Sequence, residues 1–338
     1  MAQKYEADIA SHEPTPPEVF FSRRKFMTSM AKGILLSPAA LWAMGSQKSR
    51  ADKLDLPFER PEVFPAQQNR KYNLPDGIIP ELTPRGIAAN HNNFYEFLPG
   101  RGGPVWLYTD KFEVTPWKVE VTGLCNNPMT LDLDDLFKFE HEERLYHFRC
   151  VERWAMNVPW SGFSLNQLIK AADPKSNAKF VRFVSAHRPE QMPGLKDSSY
   201  YPWPYHEGLR MDEAMHDLTM VVTGVYGQPL LKQHGAPIRI IVPWKYGYKS
   251  PKSIVKIEFV EKQPKIFWQI QAHEYGFLSN VNPNIPHPRW SQEQSFWLHS
   301  SGKFPTPIFN GYDKYVAHLY PDEPRKMQKP LREDQIAR

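Results

Sequence analysis

Through the middle of the chain, apolar and polar residues alternate with a period of two in several short runs. Trp117-Lys118-Val119-Glu120-Val121-Thr122-Gly123 alternates and ends in glycine, which predicts a strand. Arg144 to Cys150, Phe180 to Ser185, Leu218 to Thr223, Ile238 to Val242 and Ile254 to Val260 predict further strands. Helical spacing is scarcer. Ser164 precedes Leu165, Leu168, Ile169 and Ala172, an apolar face at i, i+3, i+4 and i+7 behind a capping residue. Thr130 to Phe139 predicts a short capped helix with Asp132 and Asp134 in its first turn. Two stretches lack a sustained period. Residues 52–90 are proline-rich and predict an arm wrapped over the domain surface. The chain after residue 261 is aromatic and proline-rich, with Asn282-Pro283-Asn284 and His287-Pro288-Arg289-Trp290 as ordered-loop signals. No repeat interrupts this order.

Composition sharpens the fold class. Proline is 33 of 338 residues, about twice the usual ~5%, and aromatic residues reach 13%. Proline at that density interrupts helices and favours short strands joined by shaped loops, so an α+β, β-rich body is expected. A mean hydropathy of −0.57 excludes a polytopic membrane protein. The formal net charge of +5 is concentrated at the start: residues 1–50 carry seven Lys/Arg and four Asp/Glu, which leaves thirty-five against thirty-three in the rest. No basic tract remains to bind nucleic acid. Cys125 and Cys150 are the only cysteines, too few for a disulfide scaffold or a clustered thiolate metal site.

The N-terminal stretch reads as a targeting segment. Ser22-Arg23-Arg24-Lys25-Phe26-Met27 precedes a moderately apolar run through Ile34-Leu35-Leu36 and Ala39-Ala40-Leu41-Trp42-Ala43, broken by Lys32. The run is too short and weakly apolar for a permanent anchor. Paired arginines in this setting resemble a twin-arginine export signal, with cleavage after about residues 43–51; an amphipathic first helix is the other reading. That route carries folded proteins, commonly with a cofactor already loaded. A buried prosthetic group is therefore expected.

Three clusters can carry chemistry. Cys150 ends a predicted strand within His147-Phe148-Arg149-Cys150-Val151-Glu152-Arg153-Trp154, and the flanking Arg149 and Arg153 can lower a thiol pKa. The alternatives are a buried structural cysteine or a catalytic thiol, the latter without an evident His/Asn pairing. Two residues along an extended strand, Glu152 can share the face of Cys150 and relay protons or hold a metal-bound water, or it can form a salt bridge with Arg149 or Arg153. Arg239, Lys245, Lys249, Ser250 and Lys252, with Gly235 and Gly247, suit a phosphate as well as they suit a solvated turn. Asn92-Asn93-Phe94-Tyr95-Glu96 offers adjacent amides to a heteroaromatic ring, or is a simple turn.

Taken together, the motifs resemble the molybdopterin-binding sulfite oxidase superfamily, and within it the periplasmic methionine-sulfoxide-reductase catalytic subunits of Gram-negative bacteria. The resemblance rests on Asn92-Asn93-Phe94-Tyr95-Glu96, Arg149-Cys150-Val151-Glu152-Arg153-Trp154, Arg188-Pro189-Glu190-Gln191-Met192-Pro193-Gly194 and Tyr201-Pro202-Trp203-Pro204-Tyr205. It continues in Gly235-Ala236-Pro237-Ile238-Arg239, Pro243-Trp244-Lys245-Tyr246-Gly247-Tyr248-Lys249 and His287-Pro288-Arg289-Trp290-Ser291-Gln292, and runs to Asn310-Gly311-Tyr312. It implies a sulfite-oxidase-type molybdopterin-binding domain with short helices and long ordered loops, and Mo-molybdopterin as cofactor. Cys150 is then the metal ligand, with Glu152 as a catalytic partner. Asn92, Asn93, Tyr95, Glu96, Ser185, His234, Arg239, Ser250, Pro251 and Lys252 are the implied cofactor-binding residues. Ser185 and His234 stand where close relatives would carry Thr and Asn, and both keep hydrogen-bonding ability.

The expected organisation is a signal peptide over 1–51, the arm over 52–90, the catalytic domain over 91–320 and a tail over 321–338. The implied reaction is oxygen-atom transfer from a sulfoxide to reduced molybdenum, repairing methionine sulfoxide in periplasmic proteins. Tyr, Trp and Met residues around 192–211 are expected to line the mouth. No C-x-x-C-H haem motif or flavin fingerprint occurs, so electrons must come from a partner, and the resemblance implies a membrane-embedded haem-binding subunit. Sulfite oxidation is the competing enzyme reading, with Arg149, Arg153 and Arg188 as candidates for the anion. A metal-free binding module is the non-enzymatic one.

Overall fold

The computed structural model describes residues 56–100 and 102–328, so the expected twin-arginine segment and the last ten residues lie outside it. Two mixed sheets form the body. The first has the order β2-β1-β10-β5-β6, built from β1 (Lys118–Gly123), β2 (Met129–Asp132), β5 (Phe180–Ser185), β6 (His206–Arg210) and β10 (Ile254–Val260). Its β1–β10 pair is parallel and its other pairs are antiparallel. The second has the order β12-β11-β4-β7-β8, with β3 paired to β4 and β9 to β7. Its strands are β3 (Glu142–Arg149), β4 (Trp154–Ser164), β7 (Met220–Val225), β8 (Gln228–Pro229), β9 (Arg239–Ile241), β11 (Gln294–Trp297) and β12 (Lys303–Pro305). One continuous buried cluster takes side chains from both sheets, among them Val119, Phe183 and Ile257 of the first and Val158, Trp160 and Val221 of the second.

The expected strands formed, with Phe180–Ser185 and Ile254–Val260 at the expected bounds. The run 130–139 divides. Met129–Asp132 pairs with β1, and the helix begins only at Leu133, because Asp132 accepts from Asp135 N and so caps it. That helix is Leu133–Phe137; with Arg85–Asn90 before it and Leu165–Ala172 after it, the three are α1 to α3 in chain order with Leu133–Phe137 as α2. Leu165, Leu168, Ile169 and Ala172 of α3 are all buried, as their spacing requires.

β4 has no sequence signature. All of its residues are buried, so it lacks the alternation of a half-exposed strand, and Pro159 sits in its middle. Gly162 marks its register shift against β7, where a Cβ would lie 2.0 Å from Val221 O.

Residues 56–83 are tied into the second sheet. Asn69 N donates to Glu143 O, Thr83 N to Asn157 O, and the Asn157 amide returns two bonds to Ile79 O and Glu81 O. Phe64 and Tyr72 are buried, the latter under the Arg144 guanidinium at 3.9 Å. Residues beyond 320 are also anchored: Glu323 accepts from Asn280 and Asn282, and Gln328 N donates to Asn284 O. Among the described residues no helix is long and apolar enough to cross a membrane.

Candidate active site

β3 and β4 pair from Glu142↔Gly162 to Arg149↔Ala155, and the turn that joins them carries the cysteine. Cys150 N donates to Trp154 O at 2.9 Å, and Arg153 N returns to Cys150 O at 3.0 Å with Arg153 at φ 77°. The turn folds Glu152 back over the thiol, so its N–H lies 3.4 Å from Cys150 Sγ. Proximity of Cys150 and Glu152 therefore comes from a turn, and the extended-strand argument for it is corrected. The alternative reading of Glu152, a salt bridge to Arg149 or Arg153, is not found among the described residues. Its Oε2 accepts from Asn93 Nδ2 at 3.0 Å and Trp154 Nε1 at 3.1 Å, and the same Asn93 nitrogen is 3.4 Å from the sulfur.

The flanking arginines do not activate the thiol as expected. Arg149 is fully buried and points away, bonding Cys150 O, Ser295 Oγ and Thr306 Oγ1. Burial and the neighbouring Glu152 push the Cys150 thiol well above its ordinary range, outweighing the Glu152 N–H, Arg149 and Asn93. Without a metal the group is a neutral thiol. A coordinated metal removes that proton outright. Cys125 lies elsewhere, and both cysteines are free.

A cavity with about 830 Å³ of empty space, part of it open to solvent, lies above this turn. Asn92, Asn93, Tyr95, Glu96, Cys150, Glu152, Arg239 and Lys252 line it. Ser185, His234, Ser250 and Pro251 are not among its lining residues. Ser250 Oγ accepts from Val242 N at 3.2 Å, and Pro251 O accepts from Ile240 N at 3.0 Å. His234 Nε2 and Asn92 Nδ2 both face Ala88 O, at 3.3 and 3.2 Å, beside the end of α1.

The cationic cluster splits in two. Lys245 Nζ is bonded to Glu213 Oε1 and Leu278 O at 2.7 Å each and to Asn280 Oδ1 at 2.9 Å. Lys249 Nζ is bonded to Glu207 Oε2 at 2.5 Å and Gly208 O at 2.7 Å. Neither is available to a phosphate, which corrects the reading of all four cations as one site. Arg239 has no carboxylate partner among the described residues; it reaches His234 O at 2.7 Å and Ser250 O at 3.3 Å, and burial lowers its pKa to about 9. Lys252 comes close to the Gly235 backbone, where a Cβ would lie 2.5 Å from its own Cβ and where φ is +97°. Burial pushes Glu96 up and Lys252 down, each partly holding the other's charge.

Five buried polar atoms in this region have no partner among the described residues: Asn92 Oδ1, Asn93 Oδ1, Ser185 Oγ, His234 Nδ1 and Arg239 Nε. Buried polar atoms are normally bonded, so such a concentration marks the place of a polar ligand. Amide oxygens and an imidazole nitrogen suit the edge of a pterin, and an uncompensated guanidinium suits a phosphate. Among the described residues no group of three or more His, Cys, Asp or Glu side chains can hold a metal ion. A metal at Cys150 must bring most of its own ligands, as a dithiolene-bound one does. The residues present fit the cofactor.

The mouth is aromatic, but not from the expected stretch. Of residues 192–211 only Tyr205 lines the cavity, while Met192 is fully buried. Tyr248, Trp268 and Tyr275 supply much of the rim, two of them from the loop after residue 261. Aromatic density was the available signal there; no period or motif picked out individual positions. Trp154 lines the cavity beside Glu152. The arginines considered for an anionic substrate are absent from the lining. Arg188 lies over the Trp117 ring at 4.7 Å and donates to Glu113 O at 2.7 Å.

The family profile described as "Oxidoreductase molybdopterin binding domain" matches residues 106–268. The chain is 44% identical over 324 residues to a "Protein-methionine-sulfoxide reductase catalytic subunit MsrP" of Ralstonia nicotianae, covering 93% of this chain and 94% of that one. It is 45% identical to the protein of the same description from Burkholderia mallei, covering 93% of each. A partial overlap with the solved sulfane dehydrogenase SoxCD from Paracoccus pantotrophus, at 18% identity and a TM-score of 0.41 over 55% of this chain and 45% of that one, is too slight to bear on fold or function.

Proposed function

This chain belongs to the family of protein-methionine-sulfoxide reductase catalytic subunits, molybdopterin-binding oxidoreductases, and from that premise we propose how its own residues divide the work. The protein is a molybdopterin-dependent reductase that returns methionine sulfoxide in proteins to methionine. When bound, the molybdenum centre supplies the two-electron oxygen-atom-transfer chemistry. Cys150 Sγ is its protein ligand. Asn92, Asn93, Tyr95 and Glu96 hold the pterin from the α1 side, and Arg239 with Lys252 takes the phosphate. Ser185 Oγ and His234 Nδ1, both without a partner among the described residues, would add two further hydrogen bonds to the bound cofactor.

Reduction of a sulfoxide to a thioether and water consumes two protons. Glu152 is placed to hold one at its carboxylate, 3.9 Å from Cys150 Sγ, while Asn93 and Trp154 fix its orientation. The aromatic rim seats the apolar arms of a methionine side chain and excludes water from the reacting atoms.

The observation that carries this reading over sulfite oxidation is the lining itself. A small dianion calls for several arginines converging on the metal. Here Arg149 and Arg188 are bonded elsewhere, and aromatic rings stand at the mouth. Residues 1–51 serve as the twin-arginine export signal, the reaction takes place in the periplasm, and electrons come from a membrane-embedded haem-binding partner subunit. Oxidised periplasmic proteins are the substrates.

Anaerobic assay of the molybdenum-loaded protein with reduced viologen tests the reading. Methionine sulfoxide should be reduced, and sulfite should not be oxidised when an electron acceptor replaces the viologen. Preferential turnover of sulfite would overturn it.

A further inference from the structure

Four tyrosines line the cavity, and their phenolic protons have different destinations. Tyr205 directs its proton to Tyr248 O at 2.7 Å. Tyr248 is bonded to Ser279 Oγ, and because Ser279 directs its own proton to Gly276 O, Tyr248 must be the donor. Tyr95 and Tyr275 direct their protons to no acceptor among the described residues. Only Tyr275 receives a charged donor: Arg289 Nη2 lies 3.4 Å from its oxygen. Since a guanidinium has no acceptor, the phenol oxygen is the accepting partner, and the phenolic hydrogen of this lining residue is left without an acceptor among the described residues.

Arg289 is itself fixed. Its Nε and Nη2 hold Glu274 Oε2 at 3.0 and 2.6 Å, and His287 Nε2 stands 3.2 Å from the same oxygen. The His287 ring stacks on Trp290 at 4.0 Å. Trp290 Nε1 and Gln292 Nε2 both donate to Val151 O at 2.9 Å, between Cys150 and Glu152. The Tyr275 hydroxyl is thus connected to the catalytic turn by a path of hydrogen bonds, one close His287–Glu274 approach and one ring stack. Burial raises its pKa to about 12, with Glu274 adding to the rise and Arg289 opposing it, so it remains a donor at any working pH.

Resting on the reductase reading above, we propose that Tyr275, oriented by Arg289, donates its phenolic hydrogen to the sulfinyl oxygen of the substrate and makes the pocket prefer a sulfoxide to its thioether product. A sulfinyl oxygen is a strong acceptor and a thioether sulfur a weak one. A donor matched by the substrate and unmatched by the product discriminates between them and favours product release.

The test is equilibrium binding of N-acetylmethionine sulfoxide and of N-acetylmethionine to the molybdenum-loaded, oxidised protein, followed by quenching of the cavity tryptophans. No turnover occurs without a reductant. Tyr275→Phe should weaken the sulfoxide roughly three- to tenfold, the worth of one neutral hydrogen bond, and leave the thioether unchanged. Arg289→Gln should produce a smaller selective loss, and Arg289→Lys should recover part of it. A purely structural role would weaken both ligands alike. Equal weakening of the two, or of neither, in Tyr275→Phe overturns the assignment. If wild-type protein reduces sulfoxides while that ratio stays fixed, only this inference fails; if wild-type protein does not reduce them, the reductase reading fails first.

Discussion

Lys245 and Lys249, in the middle of the 239–252 segment, and Arg239, at its start, look alike in sequence and have opposite surroundings. The middle pair is closed on the protein. All three ammonium protons of Lys245 meet acceptors, and both it and Glu213 are 0% exposed. Arg239 is nearly as deeply buried, yet its hydrogen bonds go only to carbonyl oxygens, its guanidinium lies over the Trp160 and Phe148 rings, and one of its N–H groups meets nothing among the described residues. A buried ion pair is a structural element whose loss strands a charge. A buried cation without an anion is a site awaiting one. The same division runs through the rest of the pocket, between polar groups closed on protein partners and those left open toward the cavity.

The largest consequence falls on the open thiol. Cys150→Ser should abolish turnover while the apoprotein keeps its thermal midpoint, because the sulfur has only weak contacts with Asn93, Glu152 and the Glu152 N–H. Sulfoxide reduction at the wild-type rate in that variant would remove Cys150 from the open set. Closed cations behave in the opposite way. Lys245→Ala leaves Glu213 buried without its partner and should cost about 3–5 kcal/mol of stability. Molybdenum per folded molecule should be unchanged, which denaturant titration combined with metal analysis can check. Metal loss out of proportion to unfolding would place Lys245 in the site after all.

Arg239→Ala gives the intermediate case. A charge-assisted phosphate contact is worth roughly 1.5–3 kcal/mol, so cofactor retention should fall by about one to two decades. Apoprotein stability should hold or rise slightly, since the substitution removes a buried charge that no carboxylate offsets among the described residues. Metal content after dialysis, set beside the apoprotein unfolding midpoint, separates the two effects. A variant that unfolds easily yet retains its metal would class Arg239 with the closed pair.

Much of this division was hidden in the sequence for a definable reason. Arg239, Lys245, Lys249 and Lys252 are equivalent as a local pattern, and what separates them is Glu207 and Glu213, some thirty to forty positions earlier. Local signals read well where one face is exposed: Phe180–Ser185 and Ile254–Val260 alternate because their outer residues meet solvent. β4 was invisible because burial on both faces removes the alternation and Asn157, Pro159, Ser161 and Gly162 break the apolar run by which the equally buried β7 could be read, although β4 positions Trp154 and closes the Cys150 turn. Asn92 to Glu96 could be recognised because its pocket residues are contiguous. Tyr275 could not, since its significance depends on Arg289 and Glu274 meeting across a loop.

Two serines carry the same division down to single hydrogen bonds. Both Ser185 and Ser250 are buried, and both were expected to hold the cofactor. Ser250 Oγ already accepts from Val242 N, so Ser250→Ala strands a backbone donor and should cost about 1–3 kcal/mol of stability, with metal retention intact. Ser185 Oγ has no partner among the described residues, so Ser185→Ala removes an unmet polar group. Its apoprotein should be as stable as wild type or slightly more so. The holoprotein should lose the one bond the hydroxyl makes to the pterin, about 0.5–1.5 kcal/mol, or a few-fold in cofactor dissociation rate. Measuring apo and holo unfolding midpoints of both variants sets the two signs against each other. If Ser250→Ala sheds metal and Ser185→Ala does not, then an unpaired buried atom here reflects packing alone, and the orphaned atoms of Asn92, His234 and Arg239 lose their meaning as a cofactor imprint.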